Sequence, residues 1–78
     1  MVMIRCFAQV REAAGTSTAE VDGDTVAEVV ANAVDRFGSE FGEVLATCRV
    51  WVDGAPADGA TSVLDAEEVA FLPPVSGG

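Results

Sequence analysis

TVAEVVANAVDRFG, residues 25–38, is the stretch on which the fold turns. Val26, Val29, Val30, Ala33, Val34 and Phe37 fall at i, i+3, i+4, i+7, i+8 and i+11, which is one apolar stripe on an α-helix. Thr25 and Glu28 have the spacing of a capping box, so the helix starts at Val26, and Gly38 is placed to end it in the left-handed conformation. The stripe needs an apolar partner, and only β-type segments flank it on both sides.

Before the helix, VMIRCFAQV (2–10) alternates as a strand, with Val2, Ile4, Cys6 and Ala8 on one face and Met3, Arg5, Phe7 and Gln9 on the other. A turn around Gly15 leads to TAEV (18–21), giving a hairpin. After the helix, SEFGEVLAT adds a short helical turn, and CRVWV (48–52) is a third strand. Asp53-Gly54 is a tight-hairpin signal, followed by a brief strand at Ala55–Ala57 whose Pro56 requires an edge. TSVLDAEE is a turn or a single helical turn. EVAFL (68–72) is the fifth strand, stopped by Pro73-Pro74, which have no N–H to donate. One helix across a mixed five-stranded sheet is the two-layer solution for the order β-β-α-β-β-β. With the first and last strands parallel in the centre, this is the α+β β-grasp arrangement of ubiquitin. Residues 1–74 form that single domain, and 75–78 are a flexible C-terminal tail ending in Gly-Gly.

The chain has 78 residues and a formal charge of −9, with no lysine, histidine or tyrosine. That charge repels phosphate backbones and anionic lipids, so nucleic acid and membranes are excluded as partners and a basic protein surface is favoured. No apolar run approaches the ~20 residues that span a bilayer. Without His or Lys there is no imidazole base, Schiff-base amine or His metal ligand. Asp22, Asp24, Glu67 and Glu68 lack the spacing of a calcium loop, so no metal site is expected. Cys6 and Cys48 are read as reduced thiols in a cytoplasmic protein, because nothing resembles a secretory signal.

Alternation in strands three and five puts Val50, Val52, Val69 and Phe71 toward the helix. The opposite face then shows Phe7, Trp51, Ala70 and Leu72 beside Arg5 and Arg49. Either Trp51 folds over Arg49 as a satellite cluster, or it anchors a partner, as exposed Trp and Arg commonly do. Beyond Pro74 the chain has no core role. The stiff proline pair projects the tail outward, and Pro74 to Gly78 reaches roughly 16 Å at ~3.3 Å per residue. Glycines let such a backbone pass a narrow channel. The terminal carboxylate is ionised and inert at neutral pH until activated from outside, most simply as an acyl-adenylate.

The element order, the opening IRCFAQVREAAG, the helix start TVAEVV and above all EVAFLPPVSGG resemble the small sulfur-carrier proteins of the MoaD/ThiS family, in particular its molybdopterin-synthase small-subunit branch. The resemblance covers essentially the whole chain. It implies that an ATP-dependent, ubiquitin-activating-like enzyme adenylates Gly78 and that a sulfur donor protein converts it to a thiocarboxylate, with no cofactor bound to the chain itself. It implies further that Gly77 lets the tail thread the large subunit of molybdopterin synthase, where sulfur passes to cyclic pyranopterin monophosphate in an assembly of two small and two large subunits. Phe7 and Leu72 match the apolar docking face of the family, with Pro56, Trp51, Arg5 and Arg49 beside it and Pro73, Pro74, Val75 and Ser76 leading into the partner. Catalytic groups would come from that partner. Relatives often have Asp-Gly-Asp-Glu before the last strand, whereas this chain has Asp65-Ala66-Glu67-Glu68, and Trp51 is bulkier than the family face suggests. Other readings are a sulfur carrier for thiamin or cysteine synthesis, a protein modifier joined to target lysines through Gly78, and a passive ubiquitin-like binding module.

Overall fold

The structure, a computed structural model, describes residues 1–73. Five strands form one mixed sheet: β1 Val2–Cys6, β2 Thr18–Val21, β3 Arg49–Val52, β4 Ala55–Ala57 and β5 Glu68–Leu72. Their spatial order is β2-β1-β5-β3-β4. The first and last strands lie side by side in the centre, parallel, with Ile4 opposite Val69 and Cys6 opposite Phe71. The other pairings are antiparallel. Three helices complete the fold: α1 Ala8–Ala14, α2 Val26–Phe37 and α3 Ser39–Leu45. This is the β-grasp arrangement, with the helical turn expected in SEFGEVLAT present as α3 and with one further helix, α1, where a strand was expected.

The stripe of α2 packs as its spacing requires. Val26, Val29 and Ala33 are buried, with Val30, Val34 and Phe37 against the same core. From the sheet, Val2, Ile4, Cys6, Val69 and Phe71 meet it. The helix start is fully satisfied. The N–H groups of Val26 and Ala27 donate to Thr61 O and Gly59 O, that of Glu28 to Thr25 Oγ1 and that of Val29 to Thr25 O. Glu28 reaches back as a capping-box carboxylate does, but to the N–H of Asp24 at 3.0 Å instead of that of Thr25. Gly23 makes this entry possible: at φ 152°, a Cβ there would lie 2.7 Å from Val29 N, so the turn lies directly on the first helical turn.

Two sequence expectations need correction. The first strand stops at Cys6 and not at Val10, because AQVREAA consists largely of strong helix formers and Gly15, at φ 76°, closes a helix with its N–H on Arg11 O. Ala8, at φ 49°, marks the break, and Val10 becomes a fully buried core residue. The β1–β2 connection is therefore not a tight hairpin, although the antiparallel pairing holds. Second, Gly38 adopts a positive φ of 103° with ψ 174°, which is not the left-handed helical cap, and α3 begins at once. Phe41 and Leu45 of α3 are buried, and the Phe41 ring lies 5.0 Å from that of Phe37. The turn expected in TSVLDAEE is present, closed by the Ala66 N–H on Val63 O, within a loop over 58–67 that carries Val63 into the core, tied by the Val63 N–H to Asp24 O.

Both sheet edges are blunted. On β2, the Arg36 guanidinium donates to Glu20 O, and Asn32 donates to Asp22 O just beyond the strand. On β4 the strand is three residues long and contains Pro56.

Candidate functional site

Cross-strand register sorts the sheet's outer face into rows. One row runs Thr18, Arg5, Ala70, Trp51, Pro56 across all five strands. On one side of it lies the row Glu20, Met3, Glu68. On the other, toward the end where β5 finishes, Leu72 is opposite Arg49. Phe7 follows Cys6 in extended conformation, φ −123° and ψ 149°, and is 37% exposed. The residues singled out for the face away from the helices therefore do share it, and none of Met3, Trp51, Ala70 or Leu72 belongs to the core cluster beneath the sheet. Trp51 is half-buried between Ala70 and the exposed Pro56, not folded into the interior.

Alternation placed these side chains correctly because β1, β3 and β5 pair without a bulge, so period two holds along each strand. Arg5 is already engaged: its Nε lies 3.1 Å from Glu68 Oε2, both side chains being substantially exposed. It is the one ion pair among the described residues. A pairing this exposed contributes little to stability. Its effect is to hold the Arg5 side chain along the face.

The start of β5 is fixed from the β3–β4 turn. Asp53, at φ 48°, accepts from the N–H of Glu68 at 2.9 Å and of Glu67 at 3.0 Å, and its own N–H donates to Glu68 O. The turn at Asp65-Ala66-Glu67-Glu68 needs no glycine, since Ala66 does not take a positive φ. Pro73 directly follows β5 and is half-buried. Pro74, Val75, Ser76, Gly77 and Gly78 lie outside the described residues, so their assignment as tail and reacting end rests on sequence.

Arg11 was not singled out by the sequence. It lies on α1 and shares a cleft of about 260 Å³ with Arg5, Phe7, Ser17 and Thr18. Its spacing from Phe7 would have revealed it only once a helix was recognised there. On the helix side, an apolar groove of about 360 Å³ opens between α2, α3 and β3, with Cys48 in its wall. Burial raises the Cys48 thiol above its ordinary value, with Thr47 pulling the other way, and Cys48 Sγ donates to Val44 O. Burial raises Cys6 too. Both thiols are free and held protonated, which is the opposite of what a nucleophilic or persulfide-carrying cysteine requires. Among the described residues, no group of His, Cys, Asp and Glu is placed to hold a metal ion, and no helix is long and apolar enough to cross a membrane.

The central strand β5 of this β-grasp domain ends beside an apolar and arginine-bearing face, and the sequence profile of the ThiS family matches residues 4–78. The chain belongs to the ThiS family of ubiquitin-like sulfur carriers. Among solved structures, this family member is similar to small archaeal modifier protein 1 (SAMP1) from Methanosarcina acetivorans, with a TM-score of 0.85 and 27% identity over 99% of this chain and 95% of that one. SAMP1 from Haloferax volcanii gives a TM-score of 0.78 and 28% identity over 99% and 98%. CysO of the Amycolatopsis orientalis BexX/CysO complex gives 0.83 at 20% identity over the full length of both chains, which is a likeness of fold. No curated protein matches the sequence.

Proposed function

We propose that this ThiS-family protein carries sulfur on its terminal glycine, Gly78, for molybdopterin synthase. The Gly78 carboxylate attacks the α-phosphorus of ATP in an adenylating enzyme, releasing pyrophosphate. Sulfide delivered by a donor protein then displaces AMP from the acyl carbon, leaving a thiocarboxylate. The thiocarboxylate is a much better nucleophile than the carboxylate it replaces, because sulfur is soft and anionic at neutral pH. In the large subunit it transfers that sulfur to cyclic pyranopterin monophosphate. The observation that carries the reading is the PPVSGG ending on a family member whose described residues offer no activated thiol or metal cluster. The chemistry thus falls to the tail and to groups from partners. Phe7, Trp51, Leu72, Arg5, Arg49 and Pro56 serve as docking residues beside it.

A second reading, protein modification, is favoured by one finding: 27–28% identity to two SAMP1 proteins over nearly the whole chain. It shares the adenylation step and differs in the acceptor, a target lysine instead of a pterin. Mass spectrometry of the C-terminal peptide, after incubation with ATP, the host's adenylating enzyme and a sulfur source, tests the shared core. Replacement of one oxygen by sulfur at Gly78 is the expected result, and an unchanged carboxylate would refute it. Dithiolene formation on adding the large subunit and precursor supports the molybdopterin reading. Higher-mass conjugates in lysate, without dithiolene formation, support the modifier.

A further inference from the structure

Net charge suggests a basic partner, but the charges are not spread evenly. Of the four arginines, Arg36 is turned to Glu20 O and the Phe37 ring. The other three gather at one end of the outer face. Arg49 is opposite Leu72, the last residue of β5, and Arg5 and Arg11 line one cleft with Phe7. The Glu68 carboxylate reaches to Arg5, and the other carboxylates near this face stand at its far end: Glu20 in the Met3 row, with Asp53 and Glu67 at the turn beyond. Glu12, next to Arg11, shares a different concavity with Gln9 and Glu40. Asp22 and Asp35 lie in another, beside Met1 and Arg36. A chain with thirteen acidic residues thus turns a cationic rim to whatever receives its tail.

We infer that the rim of Arg11, Arg49 and Arg5 around Phe7 and Leu72 docks an acidic surface on the adenylating enzyme, the partner class that the proposed function requires. The local sign, not the net charge, selects this partner. Charge complementarity at an interface rim acts chiefly on encounter rate and on rejection of wrong surfaces. At physiological ionic strength, charges beyond about 8 Å are screened, so the carboxylates on the helix side contribute little at the contact. Arg5 is held by Glu68 at one nitrogen, which leaves its other donors for the partner.

The test is ATP–pyrophosphate exchange by the host's adenylating enzyme with the full-length carrier as substrate. Arg11→Glu/Arg49→Glu should raise KM at least about tenfold with kcat near wild type, since rim charges govern association more than chemistry. Arg11→Gln/Arg49→Gln should give a smaller rise and guards against a folding defect, which matched thermal melts would reveal. Asp22→Asn/Asp35→Asn, remote from the rim, should leave KM within about twofold. Added salt should raise the wild-type KM and leave that of the doubly reversed variant flat or lowered. If the arginine variants bind as well as wild type, or the Asp22/Asp35 variant binds markedly worse, net charge governs docking and the inference is wrong while sulfur carriage stands. If wild-type protein supports no exchange, both fall together.

Discussion

Replacing Asp53 separates two things that the structure asks of one residue. Its backbone sits at φ 48°, and its carboxylate receives the N–H groups of Glu67 and Glu68. A hydrogen bond to a charged group contributes ~1.5–3 kcal/mol when sheltered, and these are exposed, so about 1 kcal/mol each is the appropriate figure. A positive φ costs a residue other than Gly, Asn or Asp about 1 kcal/mol more. Asp53→Asn keeps the backbone tolerance and weaker neutral bonds, and should cost about 1 kcal/mol. Asp53→Gly keeps the backbone and loses both bonds, at about 2 kcal/mol, and Asp53→Ala loses both features, at about 3 kcal/mol. Urea unfolding followed by the fluorescence of Trp51, the only tryptophan, measures all three. The order Asn, Gly, Ala is the essential result. Wild-type stability in Asp53→Gly would show that the carboxylate holds nothing, and equal losses in Asn and Ala would remove the backbone argument.

Phe41 anchors α3 in the core, so Phe41→Ala should cost about 3–5 kcal/mol, and a loss below 1 kcal/mol by the same assay would mean that α3 is not packed as described. Trp51 lies off the core, so Trp51→Ala should cost under about 1.5 kcal/mol, read by circular dichroism, while KM for adenylation rises; a large stability loss with unchanged KM would return it to the core. Burial raises the Cys6 thiol above its ordinary 9.0. The folded state therefore favours the protonated form, so stability is full below pH 9 and declines as pH rises through the folded value. Stability measured from pH 8 to 11 should fall more steeply in wild type than in Cys6→Ala, and parallel curves would contradict the burial effect.

The sequence carried the sheet further than the helices. Period two is a strict rule wherever strands pair without bulges, so the two faces of β1, β3 and β5 followed from Arg5, Arg49 and Glu68 alone. The stripe of α2 was equally legible, being long enough for its period to repeat. Short helices lack that repetition. In AQVREAA only Val10 is buried, so nothing periodic separated it from the preceding strand, and its helix-forming composition was outweighed by the β-rich run before it. Val63 reached the core because its N–H donates to Asp24 O while Thr61 O and Gly59 O of the same loop accept from the α2 N-terminus, contacts distant in sequence. Arg11 followed from the same omission: while residues 7–10 were read as strand, its approach to Arg5 could not be seen.

The topology also fits the separation of recognition from chemistry that the proposed function requires. β5 is flanked on both sides, by β1 with Arg5 and the Phe7 that follows it, and by β3 with Arg49 and Trp51. A segment leaving from an edge strand would have a neighbour on one side only. Here any enzyme that takes up the residues after Leu72 must straddle β1 and β3, and so reads a surface whose register is locked by the buried pairs Ile4–Val69 and Cys6–Phe71 underneath. The domain has no histidine, lysine or tyrosine side chain to offer such a partner. Rigidity in the central strands and freedom from side chains at Gly77 and Gly78 are then complementary requirements. On the proposed function, the first would present one fixed docking surface to each partner, and the second would let one short segment enter sites of different shape.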